Sequence, residues 1–308
     1  MYFPYLRGRQ YELLALKELA TGNLLGKSVI PVIEPVKITS TFGVTINTFI
    51  DAQLPVALIL NPALGDLVGK PNASAPLYDL LKEQNVIPSM LMGRDAEDMI
   101  ASLDLKAIST DMVLTLLADS DFIDSYKDIF ADNSPKFTLC PEKSQIRRAV
   151  TKNKVLFEDK FNKKNRNADY PSNEAFSEDH LFFQEEGFIG FGDYSIIGDN
   201  YDEGGFLPWA VAIHIVYFDK DNKLRIGHFI SDSINDDYGA IAEKFYEAVT
   251  KLTAWYNDGN QWQQTYALSK FLDHHANGSY PGLPTIKKLS IMHHLELMGR
   301  FLDGGLCR

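Results

Sequence analysis

The sequence predicts an α/β fold, a (β/α)8 TIM-like barrel with an inserted β-hairpin after the eighth strand and a C-terminal helical extension. Short apolar runs rich in β-branched and aromatic residues alternate with segments of helical spacing, which is typical of parallel strands joined by crossover helices. Eight such β units occur before the pattern changes. The length of 308 residues fits one barrel of about 250 residues with additions.

The first four predicted strands alternate with four predicted helices. The strands are Tyr2–Leu6, Ser28–Val36, Pro55–Leu60 and Val86–Met92, and the helices are Gln10–Thr21, Thr45–Gln53, Leu77–Gln84 and Asp95–Leu103. Gly22 with Asn23 can end the first helix, and Asp95 can cap the fourth. This regular alternation indicates crossovers that return to one sheet.

The second half of the barrel continues the pattern. The strands are Leu105–Thr110, Lys136–Cys140, Lys154–Glu158 and Gly187–Phe191, with helical regions at residues 120–131, Lys143–Thr151 and Asn173–Leu181. Residues 113–117 fit either an extra strand or the first turn of a helix. An open doubly wound sheet is the alternative fold, but no GxGxxG phosphate loop follows the first strand, which favours the barrel.

After the eighth strand the pattern becomes that of a hairpin. Trp209–Phe218 and Leu224–Ile230 are alternating runs that flank four turn residues. Three predicted helices follow, Gly239–Trp255, Trp262–His274 and Leu283–Leu302. We expect the first of these helices to close the barrel. The predicted domains are a barrel of residues 1–256 that includes the hairpin 209–231, and a helical extension of residues 257–308 packed on the barrel.

Charge limits the classes of partner. The chain has 30 Lys+Arg and 41 Asp+Glu, a net charge of −11, and an acidic protein repels the nucleic-acid backbone. The basic segments are Lys160–Arg166 and Arg147-Arg148, and we interpret both as solvated loops. Direct nucleic-acid binding is therefore not expected.

The sequence contains neither a membrane or secretion signal nor a CxxC pair, and this bears on localisation and redox state. No apolar run approaches the roughly 20 residues that span a bilayer, and the first residues lack the order of a signal peptide. We therefore expect a cytoplasmic protein without membrane attachment. Cys140 and Cys307 lie far apart and form no CxxC pair, so we expect two reduced thiols.

Candidate site residues are polar residues at the predicted strand ends, because those ends form the mouth of a barrel, where active sites are built. The candidates are Glu34, Glu158, Asp193 and Lys160 as catalytic groups, Arg7, Lys37, Asn61 and Tyr194 as substrate-binding groups, and Asp111 and Asp159 as metal ligands. Carboxylates can hold Mg²⁺ or share acid–base work, while Lys and Arg bind anions. We expect Glu34, Glu158 and Asp193 to reach a common point. The alternative is that these charges pair with one another structurally.

Two histidines form a further candidate group. His214 and His228 lie on the two hairpin strands, where they can face each other with Asp232 nearby. Two imidazoles and a carboxylate can ligate a transition metal, whereas half-buried hairpin histidines are more often bonded to the backbone. The register is not fixed by the sequence, so both interpretations stay open.

The N-terminal residues resemble a known family. The residues that carry the resemblance are Tyr2–Gln10 (YFPYLRGRQ), Glu12-Leu13, Ala15-Leu16, Ile30–Val36 (IPVIEPV), Gly192-Asp193-Tyr194, His214 and His228-Phe229. Together they resemble the bacteriophage beta-protein family over about residues 1–232. Members are uncharacterised proteins of phages and bacteria, and some bacterial members lie beside predicted nuclease genes. The resemblance implies a barrel-like fold and a phage- or defence-associated role, and it supplies no reaction.

Two functional hypotheses follow. The first is a cation-assisted hydrolase or lyase that acts on a phosphorylated or nucleotide-like small molecule, with Mg²⁺ held by carboxylates. The second is a non-catalytic binding subunit of a phage-defence or mobile-element system that engages a partner protein such as a nuclease. Mouth carboxylates spaced to share a cation in a pocket favour the enzyme, and carboxylates each paired with Lys or Arg favour the binding subunit.

Overall fold

The predicted barrel is present in the structure, a computed structural model that describes residues 1–201, 208–235, 237 and 240–305. Its strands are β1 (Tyr2–Leu6), β2 (Val32–Ile33), β3 (Val56–Ile59), β4 (Val86–Leu91), β5 (Leu114–Leu116), β6 (Phe137–Cys140), β7 (Lys154–Phe157) and β9 (Gly190–Asp193). These eight strands are parallel and close in chain order, with β9 hydrogen-bonded to both β7 and β1. The (β/α)8 fold class is confirmed.

A second sheet, with three described strands, is antiparallel. β10 (Ala212–Phe218) and β11 (Leu224–Ile230) are the two strands of the predicted hairpin, and β8 (Asn173–Ser177) pairs with the other edge of β11. The hairpin insertion after the last barrel strand is therefore confirmed.

Helices follow or flank the strands. They are α1 (Gln10–Thr21), α2 (Ser40–Asp51), α3 (Pro71–Leu80), α4 (Ala96–Asp104), α5 (Ile123–Ile129), α6 (Ser144–Ala149), α7 (Asp179–Phe182), α8 (Ile241–Asn257), α9 (Tyr266–Ala276) and α10 (Leu283–Leu302). α8, which the sequence analysis expects to close the barrel, packs against β10, β11 and α9. None of the helices in the described residues is long and apolar enough to cross a membrane.

The chain divides into two compact units. The first comprises Met1–Leu13, Lys27–Glu158 and Asp179–Asp193, and the second comprises Leu14–Gly26, Asp159–Glu178 and Tyr194–Arg308. The first unit holds the barrel strands, and the second holds the antiparallel sheet with α8, α9 and α10. The predicted boundary after residue 256 does not coincide with this division, because the hairpin groups with the C-terminal helices.

Aromatic rings fill the interior of the barrel. The rings of Phe3 and Phe137 are 5.0 Å apart, and those of Tyr5 and Phe157 are 5.6 Å apart. Gly190 and Gly192 of β9 face the same interior, since a Cβ added at these residues would lie 2.9 Å and 3.1 Å from side-chain atoms of Phe3. The glycines therefore leave the room that the large rings occupy.

The fifth strand lies later in the chain than predicted. Its predicted position, Leu105–Thr110, is wrong, because Leu105 is 89% exposed and Ala107 has a φ of 59°, a turn conformation. Residues 113–117 are buried without interruption and supply β5, as the extra-strand alternative allowed. Continuous burial distinguishes this barrel strand from the connection before it.

Two predictions near the last barrel strand also need correction. The predicted helix Asn173–Leu181 is wrong over its first half, which forms β8 because hydrogen bonds with β11 override the local pattern. Only Asp179–Phe182 is helical there. The last barrel strand begins at Gly190 rather than Gly187, since Gly187 has a φ of 78° and belongs to a turn.

The glycine on β9 gives a test of the packed interior. In Gly192→Ala the new Cβ would lie 2.4 Å from the backbone oxygen of Phe3, so we expect the free energy of unfolding to fall by about 2 kcal/mol. The control is Gly43→Ala on α2, where a Cβ meets nothing within 4 Å and helix propensity predicts a gain of up to about 1 kcal/mol. Urea denaturation followed by circular dichroism measures both, and equal values would contradict this packing.

Candidate functional site

Glu34 points into the barrel at the carboxyl end of the strands. Val32 pairs with Tyr5, whose ring lies in the interior, and residues two apart on a strand share a face. Glu34 follows β2 directly and its side chain is fully buried. β2 therefore positions this carboxylate at the mouth.

Three donors satisfy the Glu34 carboxylate. Oε2 accepts hydrogen bonds from the Tyr5 hydroxyl, at 2.9 Å, and from the Arg7 guanidinium. Oε1 accepts one from the backbone N–H of Ala63, at 2.8 Å. Arg7, which follows β1, also lies over the Tyr5 ring at 5.2 Å from its centroid. A buried carboxylate with a paired cation and two further donors directs its lone pairs at protein atoms.

Glu12 holds the loop that carries Arg7, although it is not among the predicted site residues. Its Oε2 accepts hydrogen bonds from the backbone N–H groups of Arg7, at 2.8 Å, and Arg9, at 3.3 Å. Glu12 is buried in the first turn of α1. A Glu at the third position of a helix reaches back to the cap N–H, and that spacing is the signal that could have found it.

Asp193 points away from the mouth. Gly192 faces the interior, so its neighbours Phe191 and Asp193 face the helical layer. The Phe191 ring accordingly lies 5.4 Å from that of Phe183, next to α7, and stacks on Tyr2 at 5.2 Å. The buried Asp193 carboxylate accepts a hydrogen bond of 2.8 Å from the Tyr2 hydroxyl. Its expected place beside Glu34 is therefore wrong.

Glu158 also faces away from the interior, because the preceding Phe157 points inward. Its Oε1 accepts a hydrogen bond of 3.2 Å from the backbone N–H of Glu142, and the Glu142 carboxylate pairs with Arg147 at 2.6 Å. Glu158 thus links the connections after β6 and β7. The expected convergence of Glu34, Glu158 and Asp193 on one point does not occur.

Asn61 joins the ends of β3 and β4. Its Oδ1 accepts from the N–H of Leu91 at 2.8 Å, and its Nδ2 donates to the Leu91 oxygen at 3.0 Å and to Asp95 at 3.2 Å. Asn61 lines a cavity of about 680 Å³ between α3 and α4. Lys37 is exposed and pairs with Asp66 at 3.4 Å. Of these two predicted binding residues, Asn61 adjoins a cavity.

The two predicted metal ligands lie in different units. Asp111 is exposed in a 3₁₀ turn before β5, so its expected place at the mouth is wrong. Asp159 belongs to the second unit, as do Lys160 and Tyr194. Within the described part of the chain, no group of three His, Cys, Asp or Glu side chains is arranged to hold a metal ion. The donor set does not fit the expected Mg²⁺ site.

Asp159 is held by backbone donors. Its Oδ1 accepts from the N–H of Phe161 at 3.0 Å, and its Oδ2 accepts from that of Asp199 at 2.9 Å. Burial, together with the nearby Asp199 carboxylate, raises the pKa of Asp159. This geometry fixes the start of the basic segment.

The second unit contains a cluster of two imidazoles and a carboxylate. The Nδ1 atoms of His214 and His228 are 2.7 Å apart and share one proton, and His228 Nε2 lies 3.3 Å from Glu174 Oε1. Tyr170 stacks on His228 at 4.6 Å, and the Phe161 ring lies 5.3 Å from His214. The two Nδ1 atoms are directed at each other, which leaves neither of them for a metal.

The register confirms part of the sequence interpretation of this cluster. His214 lies directly opposite His228 on the neighbouring strand. The carboxylate is Glu174 rather than Asp232, which pairs with Lys251 at 2.6 Å. Glu174 was missed because its segment was predicted to be helical. Strand pairing with β11 places it beside the histidines.

Three buried imidazoles of the second unit, those of His214, His228 and His293, stay neutral. Burial, aided by His228 and Lys287, lowers the pKa of His214 to about 3. Burial lowers the pKa of His228 as well, although Glu174 acts in the opposite direction. Burial also lowers the pKa of His293 to about 4. Protonating any of these groups in the folded chain is therefore unfavourable.

His293 of α10 connects three elements. Its Nε2 donates to the Val216 oxygen of β10 at 2.9 Å, and its Nδ1 accepts from the Thr265 hydroxyl at 2.8 Å. Thr265 caps α9 by accepting from the N–H of Leu268 at 3.1 Å. Both ring nitrogens are engaged, so His293 is structural.

Cys140 does not have the properties of a nucleophile. It is fully buried at the end of β6, and burial raises the pKa of its thiol to about 12. Cys307 lies outside the described residues.

A comparison of the chain with protein-family models and with curated proteins finds no match. Function is therefore inferred from the geometry of the site.

The Glu34 ion pair predicts a large effect on stability. Glu34→Gln removes the buried charge that faces Arg7, and we expect the free energy of unfolding to fall by about 3 kcal/mol. The control is Glu142→Gln, since the Glu142–Arg147 pair is solvent-exposed and contributes less than about 1 kcal/mol. Urea denaturation at pH 7 measures both. Similar losses in the two variants would contradict the assignment of Glu34 as a buried structural charge.

The lowered histidine pKa values predict a loss of stability in mild acid. In the unfolded chain histidine titrates near pH 6.5, whereas folded His214 and His293 titrate near 3 and 4. The unfolded state therefore binds protons first as the pH falls below 6.5, and stability decreases down to the folded pKa values. Between pH 7 and 5 we expect a loss of about 2 kcal/mol per histidine.

Urea denaturation at pH 7 and pH 5 checks this expectation. The His293→Gln variant keeps polar atoms but no longer titrates, so its loss between the two pH values is expected to be smaller than that of the wild type by about 2 kcal/mol. An equal loss in both proteins would show that His293 does not control the acid sensitivity.

Proposed function

We propose that this protein is a binding subunit that engages a partner protein and that its barrel mouth is structural. The observation that carries the proposal is the state of Glu34, whose two carboxylate oxygens accept hydrogen bonds from Tyr5, Arg7 and Ala63. A carboxylate that acts on substrate must be able to reach it, and Glu34 is fully buried. The arrangement favours the second of the two hypotheses.

The other mouth candidates support the same conclusion. Asp193 and Glu158 face away from the interior, with Tyr2 and the Glu142 backbone as hydrogen-bond donors. Hydrolysis or elimination assisted by Mg²⁺ requires carboxylates that converge on one ion, and these do not. The hydrolase hypothesis therefore has less support from the geometry.

Two exposed apolar side chains on neighbouring segments of the second unit form a candidate partner surface. Trp209 is 55% exposed and Ile234 is 54% exposed. They precede β10 and follow β11, and the N–H of Asn235 donates to the Trp209 oxygen at 3.3 Å, which keeps the two segments together. Exposed tryptophan with adjacent apolar area is the composition of interface hot spots. We call Trp209 and Ile234 the hairpin patch.

The resemblance suggests the setting of this interaction. Proteins of the bacteriophage beta-protein family include bacterial members encoded beside predicted nucleases, so a nuclease in a phage-defence or mobile-element system is the partner to be tested first. In such a complex the nuclease would contact the nucleic acid. This agrees with the net charge of −11 on this chain, which repels the phosphate backbone.

The proposal is tested by affinity purification of the chain from cells that encode it. We expect a protein that copurifies with the wild type and rebinds it after purification, and that is lost with the double variant Trp209→Ala, Ile234→Ala. Truncating a central tryptophan commonly weakens an interface by about 2 kcal/mol or more, about thirtyfold in affinity.

The matched control is Val44→Ala on α2, where a valine that is 47% exposed lies in the first unit. This variant is expected to retain the partner fully. A partner retained equally by all three proteins would exclude the hairpin patch as its site, and purified chain that alone converts a phosphorylated metabolite would overturn the binding proposal.

A further inference from the structure

The cavity between α3 and α4 lies in the first unit, beside the carboxyl end of β3. Its volume is about 680 Å³. Sites for small molecules have volumes of about 300–1,000 Å³, so this cavity has room for a guest of that class. Neither Glu34 nor the hairpin patch contributes to its lining.

Apolar side chains form the floor of the cavity. Leu60, Leu67 and Met99 line it and are buried. Leu105, which follows α4, also lines it but is 89% exposed. A guest with apolar side chains would cover Leu105 and the floor, and removing this apolar area from water is favourable.

Four charged side chains line the same cavity, those of Asp95, Asp98, Lys70 and Lys106. In the part of the chain that the structure describes, none of the four forms an ion pair. Asp95 accepts one hydrogen bond, of 3.2 Å, from the Asn61 amide. Two carboxylates and two ammonium groups give the lining no net charge, which favours a guest that carries one charge of each sign.

The charges of α4 are separated along the cavity. Asp95 precedes α4 and Asp98 lies in its first turn, whereas Lys106 follows its last turn. The Lys106 Nζ lies 5.2 Å from the centroid of the Tyr78 ring, and this cation–π contact keeps the ammonium at the cavity wall. Asp98 and Lys106 are eight positions apart, which corresponds to about 12 Å at the rise of a helix.

This separation matches the length of a dipeptide. Two extended residues span about 7 Å, and a hydrogen bond of about 3 Å at each terminus extends the reach to about 13 Å. A single amino acid reaches only about 10 Å by the same reckoning, so it cannot bind both ends of the cavity at once.

We propose that this cavity binds a free dipeptide with apolar side chains. The ammonium of the dipeptide donates hydrogen bonds to Asp95 and Asp98, and its carboxylate accepts one from Lys106. Its side chains pack on Met99 and Leu105. The inference goes beyond the partner-binding function and does not depend on the hairpin patch, so either proposal can fail without the other.

The chain is titrated with leucyl-leucine by isothermal titration calorimetry. Three controls each remove one feature: N-acetyl-leucyl-leucine lacks the ammonium, leucyl-leucine amide lacks the carboxylate, and glycylglycine lacks the apolar side chains. Free leucine keeps both charges on a shorter span. We expect each of these four to bind at least about tenfold more weakly, the ratio that one charge-assisted hydrogen bond or one buried leucine side chain supplies. Absence of leucyl-leucine binding, or equal affinity for any of the four, would overturn the proposal.

Variants locate the two charged ends of the ligand. Asp98→Asn is expected to weaken leucyl-leucine binding at least about tenfold and to leave binding of the N-acetyl peptide unchanged, because that peptide has no ammonium. Lys106→Met is expected to weaken leucyl-leucine binding by a similar factor and to leave binding of the amide unchanged, because the amide has no carboxylate.

Matched controls separate ligand binding from support of the helix. Asp98 and Lys106 also stabilise the dipole of α4, since one is acidic near its N-terminus and the other is basic near its C-terminus. Glu97→Gln changes the same first turn outside the cavity, and Lys82→Met removes a lysine outside it that is 76% exposed. Both controls are expected to bind leucyl-leucine as the wild type does, with folding verified by circular dichroism. Unchanged binding in Asp98→Asn or Lys106→Met, or an equal loss in the controls, would overturn the proposal.

Discussion

The buried Glu34 carboxylate is the interaction on which the mouth of the barrel depends. It accepts hydrogen bonds from Tyr5 on β1, from Arg7 just after β1 and from Ala63 in the connection after β3. Removing an ion from water costs several kcal/mol, and only donors held in place recover that cost. The two connections must therefore keep their conformation, and Glu12 provides part of this constraint by binding the backbone of Arg7.

Strand alternation then decides which polar residues can act together. The same rule that turns Glu34 inward beside Tyr5 turns Asp193 outward, because Gly192 takes the interior position next to Phe3. Adjacent residues of a strand face opposite sides, so one points to the barrel mouth and the next points to the helical layer. The interior itself is occupied by aromatic rings, so the barrel serves as a packed scaffold.

The barrel was predictable because its signal is repeated along the chain, so an error in one strand does not change the fold class. The fifth strand was predicted at Leu105–Thr110, because that segment also reads as a short apolar run. Burial in the folded chain distinguishes residues 114–116 from that segment. The site was less predictable. A shift of one residue in strand register turns Asp193 or Glu158 to the opposite side of the strand. Glu174 lies beside His228 only because β8 pairs with β11.

The antiparallel sheet has an unusual order along the chain, since β8 precedes the last barrel strand and its partner β11 follows it. Ala175 and Arg225 pair across 50 residues of sequence. At a synthesis rate of about 5–20 residues per second, roughly 3–10 s pass between the synthesis of β8 and that of its partner β11. During this time the edge of β8 is unpaired and can bind other chains. Because each unit is built from separated segments of the chain, no uninterrupted piece of the gene encodes either unit by itself.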